Sequence, residues 1–97
     1  MSKEKLNIVA QFKLECKFRI TDRGMVLAGQ IISGSISTDN LVCIKDGDEL
    51  ITAKIQSVEI GDRNTPYTHF IGLLMGLKND HLEPLFEKLI GETLPII

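Results

Sequence analysis

Phe18-Arg19-Ile20-Thr21-Asp22-Arg23-Gly24-Met25-Val26-Leu27-Ala28-Gly29-Gln30-Ile31-Ile32-Ser33-Gly34-Ser35-Ile36 joins one alternating segment to a second apolar one through an Arg-Gly turn, then places two further glycines. Upstream the alternation runs unbroken from residue 12, with Phe12, Leu14, Cys16, Phe18 and Ile20 on one side and Lys13, Glu15, Lys17 and Arg19 on the other. Period two over that length predicts a strand with one buried and one wet face, which places Phe18 and Cys16 in the core. Asp22-Arg23-Gly24 supplies turn chemistry, with Gly24 free to take a positive φ, so Met25 to Ile32 reads as a second strand. Gly29 within it predicts a bulge or a sharp bend.

Working outward, residues 34–40 form a polar connector, and Leu41-Val42-Cys43-Ile44-Lys45 is a short strand ending at the hairpin signal Asp46-Gly47-Asp48. Leu50 to Ile60 follows as its partner. Ile51, Ala53 and Ile55 share one face there but Val58 and Ile60 share the other, so a bulge is expected near Gln56-Ser57. After the polar loop 61–66, the continuous apolar run from Tyr67 to Leu77 predicts a central strand covered on both sides. Leu82, Leu85, Phe86, Leu89 and Ile90 then recur at helical spacing. Pro84 favours a start near Glu83, with Asp80 or Glu83 as N-cap, and Gly91 is the stop. An amphipathic helix this short on a small barrel either covers an open barrel end or presents apolar residues outward, and it is predicted to cover the end. Thr93 to Ile97 reads as a last edge strand, because Pro95 removes a ladder donor.

The 97 residues are 43% apolar and 25% charged, with a net charge of −2. A chain this size buries roughly 60–65% of its unfolded surface, so one domain over residues 1–97 is expected: a leader (1–10), the strand core (12–77), a helical segment (80–91) and a last strand (93–97). The acidic balance gives no support to generic phosphate binding. The first ten residues lack the apolar stretch of a signal peptide and no run is long enough to span a bilayer, so a cytoplasmic location without membrane contact is expected. Cys16 and Cys43 both fall within apolar strand patterns and read as buried free thiols.

Catalytic constellations are missing from the sequence. It contains no Gly-x-x-x-x-Gly-Lys-Ser/Thr loop for nucleotide phosphates. His69 and His81 have no Cys or second His at chelating spacing, so no metal or cofactor is expected. Asp46, Asp48 and Glu49 lack the spacing of a calcium loop and read as a hairpin tip. Asp62 and Arg63 offer hydrogen-bonding groups on an exposed loop, and Tyr67 is the lone candidate for base stacking. Lys13, Lys17 and Arg19 form a stripe, mixed with Glu15, that reads mainly as a solvated surface.

Phe18-Arg19-Ile20, Arg23-Gly24-Met25-Val26-Leu27-Ala28-Gly29-Gln30-Ile31 and Gly34-Ser35-Ile36 resemble the opening of the second-domain β-barrel of translational GTPases such as elongation factor Tu. That family typically reads Phe-Ser-Ile, a short turn, Arg-Gly-Thr-Val-Val-Thr-Gly-Arg-Val, and Gly before an Ile. Ser57-Val58-Glu59-Ile60 is similar to its Gly-Val-Glu-Met strand, and Leu73-Leu74-Met75-Gly76-Leu77 to its Leu-Leu-Arg-Gly-Ile. The resemblance covers residues 12–77 and implies a mainly β fold: a small closed antiparallel barrel of about six strands, with the short C-terminal helix as this chain's own addition. Departures stand at Gln30 and Met75, where the family has arginine, and at Asp39-Asn40, where it has Gly and an acid. The resemblance further implies that Phe18 and Glu59 lie near the position taken by the aminoacyl end of tRNA.

Two functional readings follow. The first is a non-catalytic protein-interaction module that binds a GTPase partner or a second copy of itself, favoured by the acidic balance. The second is an RNA-binding accessory that contacts tRNA or the ribosome. Glu59, Asp62, Arg63, Tyr67 and Phe18 are the candidate partner-binding residues of either.

Overall fold

The computed structural model describes residues 7–62 and 69–97. Among the described residues seven strands lie in one antiparallel sheet: β1 (Ala10–Ile20), β2 (Gly24–Gly34), β3 (Leu41–Asp46), β4 (Glu49–Lys54), β5 (Ser57–Asp62), β6 (His69–Gly76) and β7 (Thr93–Ile96). A 3₁₀ turn (Leu77–Leu82) and a short helix, α1 (Glu83–Lys88), connect β6 to β7. The spatial order is β4-β3-β7-β1-β2-β6-β5.

The Arg-Gly turn forms as expected, with Gly24 at φ 108° and the Arg23 amide donating to the Ile20 carbonyl at 3.0 Å. A side chain on Gly24 would strike the backbone of Gly76, so the turn is packed against the end of β6. The hairpin β3–β4 turns on Gly47 and Asp48, with Asp46 opposite Glu49. In the connector the left-handed residue is Asp39, at φ 76°, while the Asn40 side chain accepts from the Ser37 amide at 2.7 Å.

The core is built from Phe12 and Leu14 of β1, Met25 and Leu27 of β2, Val42 and Ile44 of β3, Leu73 and Met75 of β6, and Ile96 of β7. Leu82 and Phe86 of the helical segment join it, and Leu85 and Leu89 pack against it half-buried. The helical segment differs in detail from expectation. Neither Asp80 nor Glu83 caps it, since the N-cap positions are Gly76 and Leu82 with no side-chain bond. The α-helix also stops at Lys88, two residues before Ile90.

The closed barrel does not form: β4 and β5 are the two edges of the sheet, with no ladder between them. The strand expected over residues 50–60 is instead two strands at opposite edges, joined by Ile55 and Gln56 alone. Two residues span little distance, so the sheet curls until its edges meet at that corner. There the Ile55 amide donates to the Asn40 carbonyl at 2.9 Å and the Gln56 amide to the Leu74 carbonyl at 2.8 Å.

The last strand is likewise not an edge. β7 sits between β3 and β1, with Leu94 opposite Phe12 and Pro95 opposite Gln11. Proline is tolerated because the β3 side of β7 carries little ladder: Leu41 and Ile97 exchange both bonds, at 2.7 and 2.9 Å, and Val42–Ile96 is the single registered pair. Where the next bond toward β3 would be donated, the missing N–H of Pro95 ends the pairing.

Candidate functional site

The unbroken alternation of residues 12–20 does not translate into one unbroken face. Leu14 pairs with Gly29 and Cys16 with Ala28, so Glu15 is an extra residue in β1. One inserted residue exchanges the faces of everything that follows. Phe12 and Leu14 therefore enter the core, whereas Cys16, Phe18 and Ile20 stand on the opposite face beside Ala28, Val26 and Gly24. Two expectations are corrected by this bulge: Cys16 is exposed and Phe18 is 36% exposed, neither being in the core. Cys43 is buried, and burial pushes its thiol above the ordinary value.

On that second face Phe18 and Ile20 meet Val26, Phe70, Gly72 and Leu74, with Glu59 and Ile60 of edge strand β5 closing the side, around a cleft of about 80 Å³. Phe18 and Phe70 meet edge to face, with ring centroids 6.5 Å apart. Val26 and Leu74 are buried beneath them, yet belong to no part of the main core. Gly72 keeps the floor open, because a Cβ there would lie 3.2 Å from Val26 Cγ1 and 3.7 Å from a Phe70 ring carbon. Ile60 is 74% exposed, the most exposed large apolar side chain among the described residues.

Arg23 donates to Glu59 at 3.0 Å, and the Ser57 hydroxyl donates to the same carboxylate oxygen at 3.4 Å. Beyond Arg23 lies a larger, open groove of about 600 Å³ between the β1–β2 turn, the Asp39 turn, the Ile55–Gln56 corner and the start of the 3₁₀ turn. It is lined by Arg23, Lys54 and Lys78 with Asp22 and Asp39, and by the apolar side chains of Met75 and Leu77.

The bulge also turns Lys17 and Arg19 to the core side of the sheet, in register with Leu27 and Met25. There they meet the helical segment. Lys17 donates to Glu83 at 2.9 Å and lies 2.9 Å from Glu87, while Arg19 donates to Asp80 at 2.9 Å and to Glu83 at 2.7 Å. Two of the three cations of the stripe read from the sequence are thus engaged by the chain's own acids, while Lys13, before the bulge, stands on the other face of the sheet. Glu83 is held below the ordinary carboxylate value, first by its bond from Lys17 and then by that from Arg19. A depressed folded value stabilises the native state above the unfolded value of 4.5, and that contribution disappears as the pH falls through the depressed one. Urea midpoints of wild type and Glu83→Gln are expected to differ at pH 7 and to converge in acid. A gap that is unchanged in acid means that Glu83 acts by packing rather than by charge.

Of the residues singled out from sequence, the structure brings Phe18 and Glu59 into one cleft. Asp62 is the last residue of β5, opposite His69, while Arg63 and Tyr67 lie outside the described residues. Ile60, Phe70 and Arg23 belong to the site and were not picked out; the signal available for them was Gly72, a strand glycine that marks a close approach. Among the described residues no group of His, Cys, Asp and Glu is arranged to hold a metal ion, and no helix is long and apolar enough to cross a membrane. No protein-family model, curated protein or solved structure matches the chain.

Proposed function

We propose that this chain is a non-catalytic binding module that takes an apolar side chain of a protein partner into the cleft between β1, β5 and β6. The observation that carries this reading is the pairing of exposed apolar groups, Phe18 and Ile60, with a small cavity on an open sheet edge. Exposed apolar surface that surrounds a preformed cavity is the form that protein-recognition sites take. The partner is a GTPase or a second copy of the chain. The relation to the translation-factor second domain is part of the same proposal, supported by the Arg23-Gly24 turn and by the seven antiparallel strands.

A second reading, contact with the end of tRNA or with the ribosome, is favoured by one observation: Phe18 and Glu59, matched to the family's aminoacyl-end positions, line the same cleft. Against it, Lys17 and Arg19 are engaged by Asp80, Glu83 and Glu87 rather than free for phosphate.

Affinity capture of the tagged protein from its source cells, with and without RNase, separates the two, using Ile60→Ser as the surface control. A protein partner that survives RNase and is lost with Ile60→Ser is the expected result. Loss of bound protein on RNase treatment supports the RNA reading instead, and a partner retained equally by Ile60→Ser removes the cleft from the function.

A further inference from the structure

The small apolar cleft and the larger groove are linked by one ion pair. Glu59 lines the cleft, Arg23 lines the groove, and the two side chains meet at 3.0 Å with half of each exposed. We infer that cleft and groove form one continuous surface for an extended acidic peptide segment, with an apolar side chain in the cleft and carboxylates along Arg23, Lys54 and Lys78. This deepens the reading of the cleft as a protein-binding site, and rests on it, by naming the chemistry of the partner.

The charges of the groove support that choice. Lys78 has no ion-pair partner among the described residues, and so is the first cation available to an incoming carboxylate. Lys54 is held loosely, 3.5 Å from Asp39 with both side chains about two-thirds exposed. Such an exposed pair is worth little and exchanges readily for a better-placed carboxylate. Leu77, 56% exposed in the groove lining, offers apolar contact to the segment's stem. A nucleic-acid strand fits less well. Among the described residues no aromatic side chain lines the groove to stack a base.

The overall charge makes the test two-sided, because a chain of net charge −2 attracts basic peptides in general and repels acidic ones. Fluorescence anisotropy is measured with labelled short peptides in which leucine alternates with glutamate, with lysine or with serine, and with a single-stranded RNA oligomer. The proteins are wild type, Lys54→Glu/Lys78→Glu and Ile60→Ser. The glutamate peptide is expected to bind wild type about tenfold more tightly than the lysine peptide, a preference worth a few surface charge contacts. The double variant is expected to reverse that order, while Ile60→Ser weakens every peptide and leaves the order as it was. Equal or better binding of the lysine peptide overturns the inference, as does an order that the double variant leaves unchanged. If peptides bind without charge preference and Ile60→Ser weakens them, the cleft reading stands and the groove falls. Binding of the RNA alone, or of no probe, overturns both.

Discussion

Replacing Phe86 with Ala lowers the free energy of unfolding by about 3–5 kcal/mol, the range for truncating a fully buried aromatic side chain. Phe86 is 0% exposed at the centre of the core, packed from a helix of only six residues. So short a helix has little stability of its own and is held by what it buries. The loss is a large share of the roughly 5–15 kcal/mol that stabilises a domain of this size, so the variant is expected to be largely unfolded at moderate urea concentration. Leu85, one residue earlier, is half-buried and packs only against the rim of the core. Leu85→Ala is accordingly expected to cost less, about 1–2 kcal/mol, rather than the equal loss that helical periodicity alone suggests. Urea denaturation of both variants checks this. A Phe86→Ala protein as stable as wild type, but impaired in self-association, makes the helix an interface instead of part of the core.

Gly29→Ala is expected to be at least as damaging, costing about 3 kcal/mol or more, because the strain falls on backbone rather than on a flexible side chain. A Cβ at that position overlaps the Lys13 carbonyl and lies 3.2 Å from the Glu15 amide, both on the neighbouring strand. Gly29 stands opposite Leu14, beside the extra residue Glu15, so the two strands approach most closely where the bulge sits. The control is Gly47→Ala at the hairpin tip, where a Cβ meets nothing within 4 Å and only the φ of 64° is unfavourable. That change is expected to cost about 1–2 kcal/mol, the penalty of a left-handed alanine. If the two variants are equally stable, the close approach of β1 and β2 at Gly29 is not what sets their register. Chain expression that fails only for Gly29→Ala agrees with the larger cost.

Much of the sheet was legible in the residues. Glycine and aspartate marked the turns at Arg23-Gly24 and Gly47-Asp48, and Pro84 marked the start of the helix, because each acts through the backbone within a few residues. Of the apolar run from Tyr67 to Leu77, His69–Gly76 forms an interior strand in which Leu73 and Leu74 point to opposite sides and are both buried, whereas Leu77 lies beyond the strand and is exposed, and Tyr67 and Thr68 lie outside the described residues. Gly29 correctly implied an irregularity between the first two strands. Less legible was its position. A bulge displaces one residue in a pattern that alternates perfectly on paper, and nothing in Phe12 to Ile20 says that Glu15 is the residue left over.

The candidate site shows the same division. Glu59 and Phe18 were reached only through a family resemblance, and the face on which Phe18 stands was read wrongly by alternation. Ile60 and Phe70 belonged to apolar runs that looked like core. Ile60 is exposed on the edge strand β5 and Phe70 is half-buried on the neighbouring strand β6, placements that follow from the strand order and not from their neighbours in sequence.

By itself the sequence determined the turns, the place of the helix and most of the strands, though not the division of residues 50–60 into two, because those depend on periodicity and on the backbone preferences of adjacent residues. Tertiary structure alone decided which face Phe18, Lys17 and Arg19 present, that β7 lies inside the sheet despite Pro95, and that the sheet stays open between β4 and β5. The physical reason is distance along the chain. Register at Glu15 is set by pairing with Gly29, and the fate of Lys17 and Arg19 by carboxylates more than sixty residues away. Local propensity carries no information about partners that far apart.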